Sequence, residues 1–248
     1  MLDHDTYEYA AATIALEKLK ELKIPLILNS SKTAAEIASL RQQLNNVAPY
    51  VVENGAGIYL NGNGADDELI RFGIDRNDVL AVLNTLRDKY GLPFTGFADL
   101  SVAELAEMTG LSEENAEKAK RRDFTEPLCW QGSAEQWALF CTEIEQAGLS
   151  IAKGGRFFSI SGKVDKGQAV DWLRHYYQQQ TTVMPYVLAL GDSDNDKQML
   201  ESADVAIVVR SGKHALPEIN SDNLIITNEV GPVGWNNSVI ALLEKLKK

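Results

Sequence analysis

The stretch Tyr186-Val187-Leu188-Ala189-Leu190-Gly191-Asp192-Ser193-Asp194-Asn195-Asp196 decides how the rest of the chain is read. An apolar run of strand length ends at a glycine and gives way to three acids and an amide. Met199, Leu200 and Ala203 then recur at helical spacing. A strand whose carboxyl end opens onto clustered carboxylates is where open α/β sheets place their ligand site. So much negative charge calls for a cation, and hard oxygen donors suit Mg2+. An acidic turn capping the next helix would read the same way. A calcium loop would not, because its sixth and twelfth positions need glycine and glutamate, and here they hold Lys197 and Ala203.

The 248 residues carry a net charge of −11, which argues against nucleic acid or an anionic membrane as partner. An anionic substrate must therefore be captured by a local positive pocket. No apolar run has the length of a membrane span, and the N-terminus lacks a signal-peptide pattern. Two cysteines, Cys129 and Cys141, are too few for a disulfide framework, so a reduced cytoplasmic protein is expected, as a monomer or homodimer.

Along the chain, Asp5 with Glu8 predicts a helix start, and the face Ala11, Ile14, Ala15, Leu19, Leu22 predicts its body to about Lys23. Short apolar runs at Leu26–Leu28 and Tyr50–Val52 predict strands buried on both faces. A helix through Ile37, Leu40 and Leu44 lies between them. Ile58–Leu60 followed by Asn61-Gly62-Asn63-Gly64 predicts a hairpin. From about Asp75 the order becomes α-β-α-α-β-α-β-β, as expected of an α+β module on an antiparallel sheet. After Gly162 the βα alternation returns, with a helix from Lys166, strands near Tyr186–Leu190, Val205–Val209 and Leu224–Ile226, and a last helix containing Trp235. The expected architecture is an α/β domain, residues 1–74 and 163–248, interrupted by an inserted α+β domain at 75–162.

Three elements fall at strand ends or helix starts. Ser30 offers a hydroxyl beside the free N–H groups of a helix start, which suits a phosphate oxygen, though a plain N-cap fits as well. Lys166 precedes a helix and could neutralise a phosphate; alone, it also reads as a solvated surface charge. Asp192, Asn195 and Asp196 form the candidate metal cradle. His4, His175 and His214 lack partners at any metal or catalytic spacing.

In this order the residues resemble the haloacid dehalogenase-type phosphatases with a cap inserted after the third core strand. Ser30 matches the second family motif, Lys166 the third and Gly191–Asp196 the fourth. More narrowly, Leu2–Tyr7, Ser30-Ser31-Lys32-Thr33, Glu53-Asn54-Gly55-Ala56, Arg122–Pro127, Gly154-Gly155-Arg156-Phe157 and Gly231-Pro232-Val233-Gly234-Trp235 are similar to the mannosyl-3-phosphoglycerate phosphatases. The resemblance implies a Rossmann-like core with a parallel sheet, and two-step phosphoryl transfer through an aspartyl-phosphate. It implies Mg2+ held by Asp192 with Asn195 or Asp196, and phosphate oxygens bound by Ser30 and Lys166. Arg156 is the expected carboxylate ligand for glycerate, because arginine binds carboxylates bidentately, though an exposed hairpin arginine reads alike. Ser31, Lys32 and Asn54 are expected as supporting substrate contacts, and Trp235 as a residue bordering the site.

One part of the pattern is missing. The family's first motif, Asp-x-Asp-Gly-Thr, supplies the nucleophile from the central strand, and this chain has no such stretch. Asp3 and Asp5 repeat the spacing but lack a preceding strand to hold a nucleophile rigid. The expectation is that the motif lies upstream of Met1, that the sheet without it has a gap beside Leu26–Leu28 and Tyr186–Leu190, and that the chain is then marginally stable.

Overall fold

The computed structural model describes residues 9–60, 68–154, 157–212 and 215–245. The expected Asp5 cap and the Asn61–Gly64 turn lie outside these residues. By internal contacts the chain divides into two compact units, Met1–Leu26 with Val170–Lys248, and Ile27–Ala169. The fold is mixed α/β. No described helix is long and apolar enough to cross a membrane.

Helix α1 (Thr13–Glu21) follows a 3-10 turn at Ala10–Ala12 and opens the first unit. The second unit holds two sheets. In the first, β1 (Leu28–Asn29), β2 (Tyr50–Val52), β3 (Gly57–Tyr59) and β4 (Leu69–Arg71) lie in chain order. Helix α2 (Ala34–Leu44) connects β1 to β2, so that pair is parallel, whereas the later pairs are antiparallel. Strand β1 starts two residues later than its apolar run suggests. The ladder needs a partner, and Tyr50 and Val51 stand opposite Leu28 and Asn29.

The other sheet of this unit is antiparallel throughout, as the α+β reading requires. Helix α3 (Arg76–Tyr90) precedes β5 (Phe94–Gly96), helices α4 (Val102–Thr109) and α5 (Glu113–Lys120) precede β6 (Glu126–Trp130), and α6 (Ala134–Gln146) precedes β7 (Leu149–Gly154) and β8 (Phe157–Gly162). The strand order is β5-β6-β8-β7. Side-chain caps start each helix: Asp75 for α3, Ser101 with Glu104 for α4, Ser112 for α5, and Ser133 with Gln136 for α6. Val79, Leu83, Phe94, Leu128, Phe140 and Ile160 form the core beneath the sheet. Trp130 and Trp137 meet edge to face, with ring centroids 5.1 Å apart.

Helix α7 (Lys166–Thr181) begins in the second unit and leads back to the first. There β9 (Leu188–Gly191), helix α8 (Lys197–Glu201), β10 (Val205–Arg210), β11 (Leu224–Val230) and helix α9 (Gly231–Lys245) follow. The sheet is parallel, in the order β11-β10-β9. Its middle strand reads Val-Ala-Ile-Val-Val, apolar and buried, as a strand covered on both faces must be. Trp235 is 4 % exposed and packs with Ala12, Ala15, Leu19 and Val239. It is a core residue, which corrects the expectation that it borders the site: its glycine–proline neighbourhood shapes the entry to α9. Among the described residues, β1 pairs only with β2 and β9 only with β10.

Candidate functional site

The acidic loop lies in the first unit, at the carboxyl end of β9. Asp196 is buried, and its Oδ2 accepts the backbone N–H groups of Asp192 at 2.9 Å and Ser193 at 3.3 Å. Asn195 Oδ1 accepts the Ser193 hydroxyl at 2.6 Å. Gly191 has no side chain because a Cβ there would lie 2.5 Å from the Asp196 Cβ. The loop is folded around its own last acid. Among the described residues no three His, Cys, Asp or Glu side chains converge on one point. Mg2+ does not require that, since it keeps several waters and takes one or two carboxylates together with substrate phosphate. The oxygen-only donor set of Asp192, Asn195 and Asp196 fits Mg2+ in kind.

The serine and the lysine lie together in the second unit. Thr33, not Ser30, caps α2. Its Oγ1 accepts the Glu36 N–H, Glu36 Oε2 accepts the Thr33 N–H, and the Thr33 hydroxyl donates to the Lys118 carbonyl. That sets aside the plain-cap reading of Ser30. The Ser30 hydroxyl instead accepts the Lys32 N–H at 3.2 Å. A hydroxyl that accepts one bond retains a proton to donate. Lys166, only 4 % exposed, is the first residue of α7, which sets aside the solvated-charge reading. Asp165 caps that helix through Oδ1, which accepts the Gly167 and Gln168 N–H groups. The Asn29 amide donates from Nδ2 to the Lys166 carbonyl at 3.2 Å, joining the end of β1 to the start of α7. The other amide atom, Asn29 Oδ1, is buried and has no hydrogen-bond partner among the described residues.

Both segments rest on Glu53-Asn54-Gly55. All three residues are left-handed, with φ of 49°, 62° and 96°. The Glu53 N–H donates to the Lys32 carbonyl at 3.0 Å and the Asn54 N–H to the Ser30 carbonyl at 2.9 Å. A Cβ on Gly55 would lie 2.1 Å from the Asp165 carbonyl oxygen. The Glu53 side chain is fully buried. It accepts the N–H groups of Asp123 (2.8 Å), Phe124 (3.2 Å) and Thr125 (2.8 Å), and the Thr125 hydroxyl at 2.7 Å. Arg122 Nε stands 3.6 Å from Glu53 Oε2 and donates to Thr125 Oγ1, and Arg122 Nη2 donates to the Ser31 carbonyl at 2.6 Å. Beside this knot, burial and the charge of Glu53 push the Asp123 carboxyl above its usual range. Burial, then the Asp123 charge, push the Tyr59 hydroxyl up to about 12.

Of the residues expected from the sequence, Ser30, Ser31, Lys32, Asn54 and Lys166 are linked through backbone groups: the Asn54 N–H donates to the Ser30 carbonyl, the Glu53 N–H to the Lys32 carbonyl, Arg122 Nη2 to the Ser31 carbonyl and Asn29 Nδ2 to the Lys166 carbonyl. The Lys32 ammonium pairs with Glu36 at 3.0 Å, a partner four residues along α2. Asp192, Asn195 and Asp196 share the acidic loop. Arg156 and His214 lie outside the described residues. Sequence reasoning did not single out Asn29, Glu53 or Arg122 as site residues. The available signal was an acid closing a strand buried on both faces, a place where a charge must find buried donors.

Residues 2–234 match the model of the haloacid dehalogenase-like hydrolases. A glucosyl-3-phosphoglycerate/mannosyl-3-phosphoglycerate phosphatase of Methanococcoides burtonii is 37 % identical over 258 residues, covering 99 % of this chain and 94 % of its own. A protein of the same description from Persephonella marina is 32 % identical, covering 100 % of this chain and 95 % of its own. Among solved structures, Thermoplasma acidophilum 0175 superposes with a TM-score of 0.70 at 16 % identity, over 98 % of this chain and 93 % of the other, a likeness of fold.

Proposed function

The chain belongs to the haloacid dehalogenase-like hydrolases and is a phosphatase, and we propose that it removes phosphate from mannosyl-3-phosphoglycerate with the help of Mg2+. The two curated relatives support that substrate, since their names share the 3-phosphoglycerate group and alternate only the sugar. The observation that carries the phosphoryl chemistry is the Asn29–Lys166 bond, which holds a buried lysine and the serine loop at one place in the fold.

Ser30 donates its hydroxyl proton to a phosphoryl oxygen, and Lys166 supplies positive charge to the same group. Residues 75–162 act as the cap that selects the sugar–glycerate portion, with Arg156 as carboxylate ligand and Ser31, Lys32 and Asn54 as rim contacts. Asp192 with Asn195 or Asp196 would hold Mg2+, which when bound shields approaching anions and stabilises phosphoryl oxygens. Asp196 also keeps the loop in shape through Oδ2. Both cysteines are free thiols, which suits a cytoplasmic enzyme.

The test is phosphate release from mannosyl-3-phosphoglycerate, glucosyl-3-phosphoglycerate and a panel of other sugar phosphates. The chain is assayed beside a form carrying any in-frame residues encoded upstream. Turnover of the panel without either glycerate conjugate overturns the substrate. No turnover by either form, with phosphate still bound, points instead to a non-catalytic phospho-ligand binder. A chelator abolishes release and added Mg2+ restores it; release that survives chelation overturns the metal requirement.

A further inference from the structure

We propose that Glu53 is a positioning residue for the phosphate-holding cluster: its carboxylate grips the Asp123–Thr125 backbone and so fixes the left-handed run that seats Ser30–Lys32 and the start of α7. The proposal rests on the reading of Ser30 and Lys166 as ligands of phosphate oxygens.

The chemistry is specific to a carboxylate. Four donors, three backbone N–H groups and one hydroxyl, converge on its two oxygens. Only an ionised acid is acceptor on both atoms; a glutamine would turn an NH2 group toward donors. Two non-glycine residues in the left-handed region persist only where the surroundings over-determine them. Here the surroundings are the Glu53 side chain on one side, and the Lys32 and Ser30 carbonyls on the other. The grip also holds Arg122 near its bond to the Ser31 carbonyl, so the Ser30–Lys32 turn is held from two directions. No atom of Glu53 is exposed to take part in chemistry itself. Its effect is transmitted through backbone.

Two measurements on the full chain test this, on wild type, Glu53→Gln and Thr125→Val. In hydrogen exchange at neutral pH, Glu53→Gln makes the amides of Asp123–Thr125 and Glu53–Asn54 exchange at least tenfold faster, while the β9–β11 amides keep wild-type rates. Thr125→Val, which removes one donor of four, produces about a threefold change at Asp123 and Phe124. It stands in should Glu53→Gln fail to fold. Unchanged protection at Asp123–Thr125 overturns the grip. In calorimetric titration with inorganic phosphate, Glu53→Gln binds about tenfold more weakly. Faster exchange with unaltered phosphate affinity overturns the positioning role and leaves a structural crosslink only. Wild type that binds no phosphate refutes the ligand reading of Ser30 and Lys166, while the exchange measurement still decides what Glu53 does.

Discussion

The two loops that carry the candidate chemistry are built in opposite ways. The bonds that fold Gly191–Asp196 around Asp196 Oδ2, from the Asp192 and Ser193 N–H groups, span three or four residues. Ser30–Lys32 is held from far along the chain: Arg122 is 91 residues from Ser31, Asp123 is 70 from Glu53, and Lys166 is 137 from Asn29. A locally held loop can form as soon as its strand and helix exist. A remotely held one forms only when several segments have met, and it depends on each of them. The difference shows what a single substitution does in each place.

The largest effect is expected from the same change made in both loops. At Gly55, φ is +96° and the obstacle is the Asp165 carbonyl, so Gly55→Ala should cost about 3 kcal/mol or more. At Gly191 the obstacle is the Asp196 side chain, which can shift, and about 1–2 kcal/mol is expected. Urea unfolding midpoints of the two variants measure this, and equal losses would erase the contrast. Next, Asp196→Ala leaves two loop N–H groups without their acceptor and should cost about 1–2 kcal/mol, whereas Asp196→Asn keeps an acceptor and should cost less than half of that. If Asp196→Asn retains stability yet loses Mg2+-dependent turnover, the residue ligates the metal as well as shaping the loop. Asn29→Ala strips the donor from the Lys166 carbonyl and should cost about 1 kcal/mol. It should also lower phosphate affinity measured without Mg2+, which an equivalent cut in the acidic loop would not do.

The smallest effect concerns Asp123. Burial and the neighbouring Glu53 charge raise its folded-state value, so the folded protein binds that proton more tightly than the unfolded chain does. The resulting stabilisation is present at acid pH and is lost as pH rises through the raised value. Asp123→Asn should therefore be slightly more stable than wild type at neutral pH, with the advantage vanishing below the usual carboxylate range. Thermal melts at two pH values would show it, and an advantage that persists in acid would contradict the assigned cause.

The same contrast explains what could be read from the chain alone. Although the strands β5, β6 and β8 pair across thirty or more residues, the periods of the α/β alternation and of the elements from α3 to β8, and the Ser101 and Ser112 caps, depend on neighbours within a few residues. They were legible as period and spacing. So was the acidic loop, whose acids and amide sit side by side. Ser30 and Lys166 could be picked out only through their order along a familiar pattern, since nothing near either residue shows that Asn29 ties them together. The Ser30 cap alternative failed because Thr33 three residues on fits the capping box with Glu36, a competition that spacing alone left open. Glu53 was hidden for a stronger reason. Its partners are backbone N–H groups, which every residue carries and no sequence pattern marks.

The paired rings of Trp130 and Trp137 give the protein an optical signature. The chain has four tryptophans. Two of them, in edge contact, belong to Ile27–Ala169, while Trp172, stacked on Tyr176, and the buried Trp235 belong to the other unit. Replacing Trp130 and Trp137 by phenylalanine would leave emission that follows only the parallel-sheet unit. Replacing Trp172 and Trp235 would leave emission from the other alone. Recorded through one denaturant titration, the two signals would resolve whether the halves of this enzyme melt as one cooperative body or in succession.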